Sequence, residues 1–183
     1  MKEQSENRRV RMTKQLLKDA LMELLEQKEL TSITVTAICE RADVHRSTFY
    51  KYYTDPADLM RDIEQDFLKM IPIPLRVPGQ QTQEQLLTET TAFFDKVKLN
   101  EKAFRILFGK STGNSFALRM VDYLCSWDFP VNKGVDEQTA CYIRLYIACG
   151  TVGMLRQWID TEFALSSRKI AEMMFYYSRR VTT

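Results

Sequence analysis

Histidine is almost missing from this sequence, His45 being the only one. Acid–base pairs and metal centres built on several imidazoles are thereby excluded. Cys39, Cys125, Cys141 and Cys149 form no C-x-x-C pair, and their scatter offers no zinc site. No nucleophile elbow, P-loop, dinucleotide-binding glycine motif or H-E-x-x-H helix is expected. Accordingly no catalytic residue, metal or cofactor is assigned, and the chain is not read as an enzyme. No window approaches 18 uncharged apolar residues, which argues against a membrane span. The opening segment MKEQSENRRVRM has no apolar run behind its charges and does not read as a secretory signal, so the expected location is the cytoplasm. Cysteines there are expected to be reduced, small and buried. Strand-like alternation is absent, and only 6 glycines and 5 prolines punctuate the chain. An all-α fold of about nine helices is therefore expected.

The charge excess is small but unevenly placed. Residues 1–53 hold 10 Lys/Arg against 8 Asp/Glu, whereas residues 54–183 hold 16 of each. Arg8, Arg9, Arg11 and Lys14 follow one another with no acid between them, an arrangement able to neutralise phosphates. A first helix is expected over about Val10–Gln27, with Leu16, Leu17, Ala20, Leu21, Leu24 and Leu25 in its apolar stripe. The spacing predicts further helices over Val35–Ala42, His45 or Arg46 to Tyr52, and from Pro56 with Asp55 as cap. Residues 71–81, IPIPLRVPGQQ, hold three of the five prolines and mark the best boundary. Beyond it, Thr82 and Gln85 form a capping box, Asn100 caps a short helix, and another helix covers about Asn114–Trp127. Asp136 caps a long helix to about Asp160, and Ser166 or Ser167 caps the last. This divides the chain into residues 1–54, a connecting helix and linker over 55–81, and a helical domain over 82–183.

Thr34 to Tyr53, TVTAICERADVHRSTFYKYY, reads as two short helices joined by a tight turn. Ala37 and Ala42 are small where two helices must cross, and Val44 in the turn can plug a core. Phe49 and Tyr53 are expected to pack inward. His45, Arg46, Ser47, Thr48, Tyr50 and Lys51 are then left for a nucleic-acid groove. Hydroxyls and Arg read base edges, while Tyr and Lys suit phosphate oxygens.

These residues resemble the TetR family of bacterial one-component regulators. The resemblance runs through Ile33-Thr34-Val35, Ile38-Cys39-Glu40-Arg41-Ala42, Val44, Arg46-Ser47-Thr48-Phe49-Tyr50, Tyr53 and Asp58-Leu59. It implies an N-terminal three-helix helix-turn-helix domain and a C-terminal helical ligand-binding and dimerisation domain. It also implies that Thr34 touches phosphate, that Arg46, Ser47 and Thr48 enter the major groove, and that Tyr50 and Lys51 hold the backbone. His45, at the head of the reading helix, joins the same set. Two positions depart from the family pattern: Asp43 stands where Gly is usual in the turn, and Pro56 where a phosphate-binding Lys is frequent.

The segment Ala148 to Ile159 is similar to a C-terminal region in a firmicute branch of the family, some members of which activate through a protein partner. Gly150 and Gly153 fall mid-helix, where each costs about 1 kcal/mol against Ala, a cost tolerated where another backbone approaches closely. Gly150, Gly153, Met154, Trp158, Ile170, Met173, Met174 and Tyr177 are the expected homodimer interface, with packing inside one subunit as the other explanation for the glycines. Phe94, Phe104, Phe108, Tyr123, Trp127, Tyr142 and Tyr146 are the candidate walls of an apolar ligand pocket, with ordinary core as the alternative. The expected function is a ligand-responsive repressor binding a palindromic double-stranded DNA operator as a dimer. The alternative is a co-regulator or activator acting through a protein partner.

Overall fold

The computed structural model describes residues 2–71, 82–112, 115–127 and 134–182. Among these residues there are nine α-helices and no strand. Most of the 71–81 linker and much of the loop before Asp136 lie outside the described residues. The chain divides into two compact units, one of residues 1–67 with 109–113, the other of residues 68–108 with 114–183.

The first unit opens with α1, Lys2–Leu25, which begins well before the expected Val10. The apolar stripe of α1 ends in Leu17, Leu21 and Leu25, all buried. The second helix, α2, is Val35–Ala42, as its spacing predicts. Thr34 caps it, its Oγ1 accepting from the Ala37 amide at 3.2 Å. Asp43 ends α2 in the left-handed region, at φ 53° and ψ 47°. Asp tolerates that conformation better than most residues, so the turn forms without the family's glycine. The third helix, α3, is Arg46–Phe49, shorter than expected. Its hydrogen bonding relaxes past Phe49 into the turn that carries Tyr50, Lys51 and Tyr52. The fourth helix, α4, is Pro56–Lys69, opened by Asp55 accepting from the Asp58 amide at 2.7 Å. Ile38, Phe49, Leu59 and Met60 complete the core of this unit.

The second unit contains α5 (Gln83–Leu99), α6 (Glu101–Leu107), α7 (Ser115–Cys125), α8 (Glu137–Asp160) and α9 (Ser167–Thr182). The Thr82–Gln85 capping box forms in both directions. Asn100 does not cap α6 through its side chain; its amide instead donates to the Lys96 carbonyl at the end of α5. Asp136 and Ser166 cap α8 and α9 by accepting from the amides of Thr139 and Lys169. Helices α5 and α9, α7 and α8, and α8 and α9 pack together, with α6 against α5, α7 and α8. Trp158 lies at the centre. Phe94 and Phe163 meet its ring edge-on at 5.3 and 4.8 Å, and its Nε1 donates to the Leu165 carbonyl at 2.8 Å. Phe163 holds a positive φ of 58°, which its buried ring and the hydrogen bond its backbone N–H donates to the Trp158 carbonyl make tolerable.

Candidate nucleic-acid interface

The helix-turn-helix is pinned from within. Phe49 is fully buried, Tyr53 nearly so, and their rings tilt against each other at 5.8 Å. The Val44 amide closes the turn on the Cys39 carbonyl at 3.0 Å. Arg41 on α2 pairs with Glu23 on α1. Burial pushes the Cys39 thiol up, against the lowering effect of nearby Arg46.

Outside this framework the expected DNA-facing residues emerge together. His45, Arg46, Ser47, Tyr50 and Lys51 are exposed, Thr48 is half-buried, and Thr34 is exposed at the head of α2. Tyr50 keeps 54% of its surface free while its ring rests edge-on against buried Phe49 at 5.7 Å. His45 caps α3 with no side-chain cap bond. The arrangement offers one guanidinium, one ammonium, an imidazole and several hydroxyls on a single convex turn, a set suited to phosphates and base edges. Arg8, Arg9 and Arg11 are exposed on α1.

The residues expected to line a pocket fall at several places in the second unit. Phe94, Phe104 and Phe108 are buried, and Phe104 and Phe108 fill the region around Phe116, at 6.3 and 5.4 Å between ring centroids. Tyr123 and Trp127 pack on each other at 5.4 Å, both half-buried. Tyr142 and Tyr146 are 68% and 67% exposed, because the period of α8 turns them opposite to its core face. The expected interface residues divide similarly. Trp158 and Ile170 belong to the core of their own subunit, on the face that α8 and α9 present to each other. Gly150, Gly153 and Tyr177 are exposed, and Met154, Met173 and Met174 are half-buried. Among the described residues, nothing beyond the helix's own neighbouring turns lies within 4 Å of where a Cβ would stand on Gly150 or Gly153, so no described close approach within the subunit accounts for either glycine.

Two further expectations need correction. Only Cys39 is buried: Cys125 is half-buried at the end of α7, and Cys141 and Cys149 lie on the side of α8 turned away from its core. Gly109-Lys110-Ser111-Thr112-Gly113 does spell G-x-S-x-G. It lacks the strand-to-helix context of a nucleophile elbow, because Ser111 sits in a 3-10 turn following α6. Arg105 and Arg144 pair with Glu101 and Glu137.

A family model described as a transcriptional regulator C-terminal region, of TetR type, matches residues 84–180. This chain belongs to the TetR family of transcriptional regulators. No curated protein matches the sequence. Among solved structures, a TetR transcriptional regulator from Streptococcus agalactiae is similar at 19% identity and TM-score 0.70, covering 99% of both chains. The dihydroxyacetone kinase operon activator DhaS is similar at 16% identity and TM-score 0.61, covering 93% of this chain and 96% of that one. NalD, the secondary repressor of the MexAB-OprM multidrug efflux pump in Pseudomonas aeruginosa, is similar at 17% identity and TM-score 0.57, covering 98% and 97%. At these identities the likeness is one of fold. Among the described residues of this TetR-family regulator, no helix is long and apolar enough to cross a membrane.

Proposed function

We propose that this regulator is a cytoplasmic, ligand-responsive repressor that binds a palindromic operator as a homodimer. Arg46, Ser47 and Thr48 read base edges in the major groove, while Thr34, His45, Tyr50 and Lys51 hold phosphates. The observation that carries this reading is the exposure of Thr34, His45, Arg46, Ser47, Tyr50 and Lys51, with Thr48 half-buried among them, above a base fixed by buried Phe49 and Tyr53. Two subunits pair through the outer faces of α8 and α9, where Gly150 and Gly153 leave room for a second backbone. The two reading helices then meet successive major grooves on one side of the duplex, about 34–36 Å apart or a near multiple. A ligand held in the second unit acts by preferring the subunit separation that does not fit the operator. It lowers operator affinity by that difference in its own affinity and no more. The helix α4, which starts in the first unit and ends in the second, is the route for that change.

An activator or co-regulator with a protein partner is the second reading. Its support is the wealth of exposed rings on α8 and α9, Tyr142, Tyr146, Tyr176 and Tyr177, beyond what a crossing at two glycines needs. Selecting bound duplexes from a random pool with the purified protein tests the main proposal. A two-fold symmetric site whose binding weakens steeply with salt is the expected result. Recovery of no common sequence would overturn it. A reporter carrying the selected site then separates the signs of regulation: removal of the protein raises expression for a repressor and lowers it for an activator.

A further inference from the structure

Asp62 on α4 gathers groups from two other parts of the first unit, α1 and the segment after α3. Tyr53, at the exit of the reading segment, donates from Oη to Asp62 Oδ2 at 2.6 Å. From α1, Lys18 Nζ lies 3.0 Å and Lys14 Nζ 3.7 Å from the same oxygen. Lys18 also reaches Asp66, one turn further along α4. Lys14 stands over the Tyr53 ring, 5.2 Å from its centroid. Tyr53 in turn packs on Phe49, and Phe49 supports Tyr50. A continuous line of contact therefore joins the carboxylate on α4 to a residue of the proposed DNA face.

The chemistry of this junction favours a fixed geometry. Burial disfavours charge on Asp62, but the Tyr53 hydroxyl and the Lys18 ammonium outweigh it and hold the carboxyl below the usual range. Burial and the bond to Asp62 together push the Tyr53 phenol far up, so it stays a donor. Hydrogen bonds to an ionised acceptor are the stronger class, and a donor bonded to one is strongly directed.

We propose that Asp62 and Tyr53 are positioning residues that fix the orientation of the reading segment on α4, and so set the separation at which two reading segments meet an operator. The inference rests on the DNA-binding proposal above. Sequence-blind binding needs only positive charge near phosphates. Operator binding also needs both reading segments at one separation. A joint that swivels must surrender that freedom on docking, which weakens operator binding selectively. A merely structural role would lower stability and both kinds of binding in parallel.

The test uses the full-length protein and two variants. Tyr53→Phe removes Oη and keeps the buried ring; Asp62→Asn keeps the shape and removes the charge that Lys14 and Lys18 face. Each is measured against the selected operator, the same half-sites with one base pair added or removed between them, and a random duplex. Thermal melting is followed in parallel. The expected result is a loss of operator affinity of about ten-fold, the scale of one hydrogen bond to a charged group. Random-duplex affinity should stay within about two-fold, and the penalty for altered spacing should shrink. Operator affinity unchanged in both variants, equal losses on operator and random duplex, or a loss with the spacing penalty intact would each overturn the inference. Should Tyr53→Phe fail to melt cooperatively, Asp62→Asn decides alone. If the wild-type protein selects no duplex, the DNA-binding proposal itself fails; if it selects one and the variants match it, only the positioning role does.

Discussion

Two outward faces of this chain expose aromatic side chains on different terms. On α3 and the turn after it, exposed Tyr50 is surrounded by His45, Arg46, Ser47 and Lys51, all polar. On α8, exposed Tyr142, Leu145 and Tyr146 are followed along the helix by Cys149, Gly150 and Gly153, none of them charged. The first face is a single turn that could not hold its shape alone, since a helix of four residues is far below the length that is stable in isolation. Its shape comes from Phe49, Tyr53 and the Asp62 junction beneath. The second lies on a helix of 24 residues whose inner side is rooted by Leu155, Trp158 and Ile159. A polar face on a borrowed base suits a polyanion, which it meets and leaves without a large apolar area being exposed. An apolar face on a rigid rod suits a partner that stays, because burying it removes apolar surface from water.

The strongest way to break this comparison is to remove the inner support of each face. Phe49→Ala and Trp158→Ala each delete a fully buried ring and are expected to cost about 3–5 kcal/mol in urea denaturation. Trp158→Ala also strands the Leu165 carbonyl that accepts from the indole. Losses under about 1 kcal/mol at either site would mean that its outer face does not depend on the ring beneath, against the usual behaviour of such deletions.

A smaller effect is expected from the polar face itself. Arg46→Ala should lose about 1–3 kcal/mol on the selected operator and relax sequence preference there, whereas Tyr50→Ala should weaken binding to all duplexes alike. Competition binding with operator and random duplex at matched salt separates the two. Equal losses for Arg46→Ala on both duplexes would remove it from base reading.

How much of this was open to the sequence differs between the faces. Phe49 and Tyr53 fall at inward positions, and Arg46, Ser47 and Tyr50 at outward ones, by helical period alone; that set could be read from Thr34–Tyr53. The Asp62 junction could not, because Lys14, Lys18, Tyr53 and Asp62 are brought together only by the packing of α1 and α4. On α8 the period was equally regular, yet aromatic content masked which side was inner. Aromatic content alone puts Trp158 with the interface and Tyr142 with a pocket, while within the subunit Trp158 is 2% and Tyr142 68% exposed. Counting rings identifies apolar regions; the face on which each ring falls decides what it packs against.

The apolar face is sharpened by Gly153→Leu. Among the described residues nothing beyond the helix's own neighbouring turns stands within 4 Å of a Cβ there, so the side chain enters open space in the isolated subunit. Helix propensity then stabilises that subunit by about 1 kcal/mol. If two copies of α8 cross at this glycine, the same side chain blocks them, and sedimentation should show weaker self-association at a raised melting temperature. A tighter dimer, or no change in association, would place the contact elsewhere.

The slightest expected effect is in acid, and it separates the faces by what holds them. Asp62 is kept below the usual carboxylate range by Tyr53 and Lys18 in spite of its burial, and Asp58 is lowered first by the Thr54 amide. A carboxylate whose pKa is lower in the folded state contributes stability that is complete above its unfolded value. That stability fades as pH falls through the folded one, because the unfolded chain takes up the proton first. The support of the reading face should therefore weaken only as pH falls below the ordinary aspartate value of 3.8. The direct contacts of Trp158, with Phe94, Phe163 and a backbone carbonyl, do not titrate, and the lowered carboxylate of its helix is the Asp136 cap, held by the Thr139 amide. Urea denaturation at a series of pH values should show an acid limb that flattens in Asp62→Asn, while the fluorescence of the two tryptophans, both in the second unit, stays native further into acid than the far-ultraviolet signal of the whole chain. Coincident loss of both signals, with the same slope in wild type and Asp62→Asn, would show that the charged junction carries none of the acid sensitivity and that the two faces are held alike.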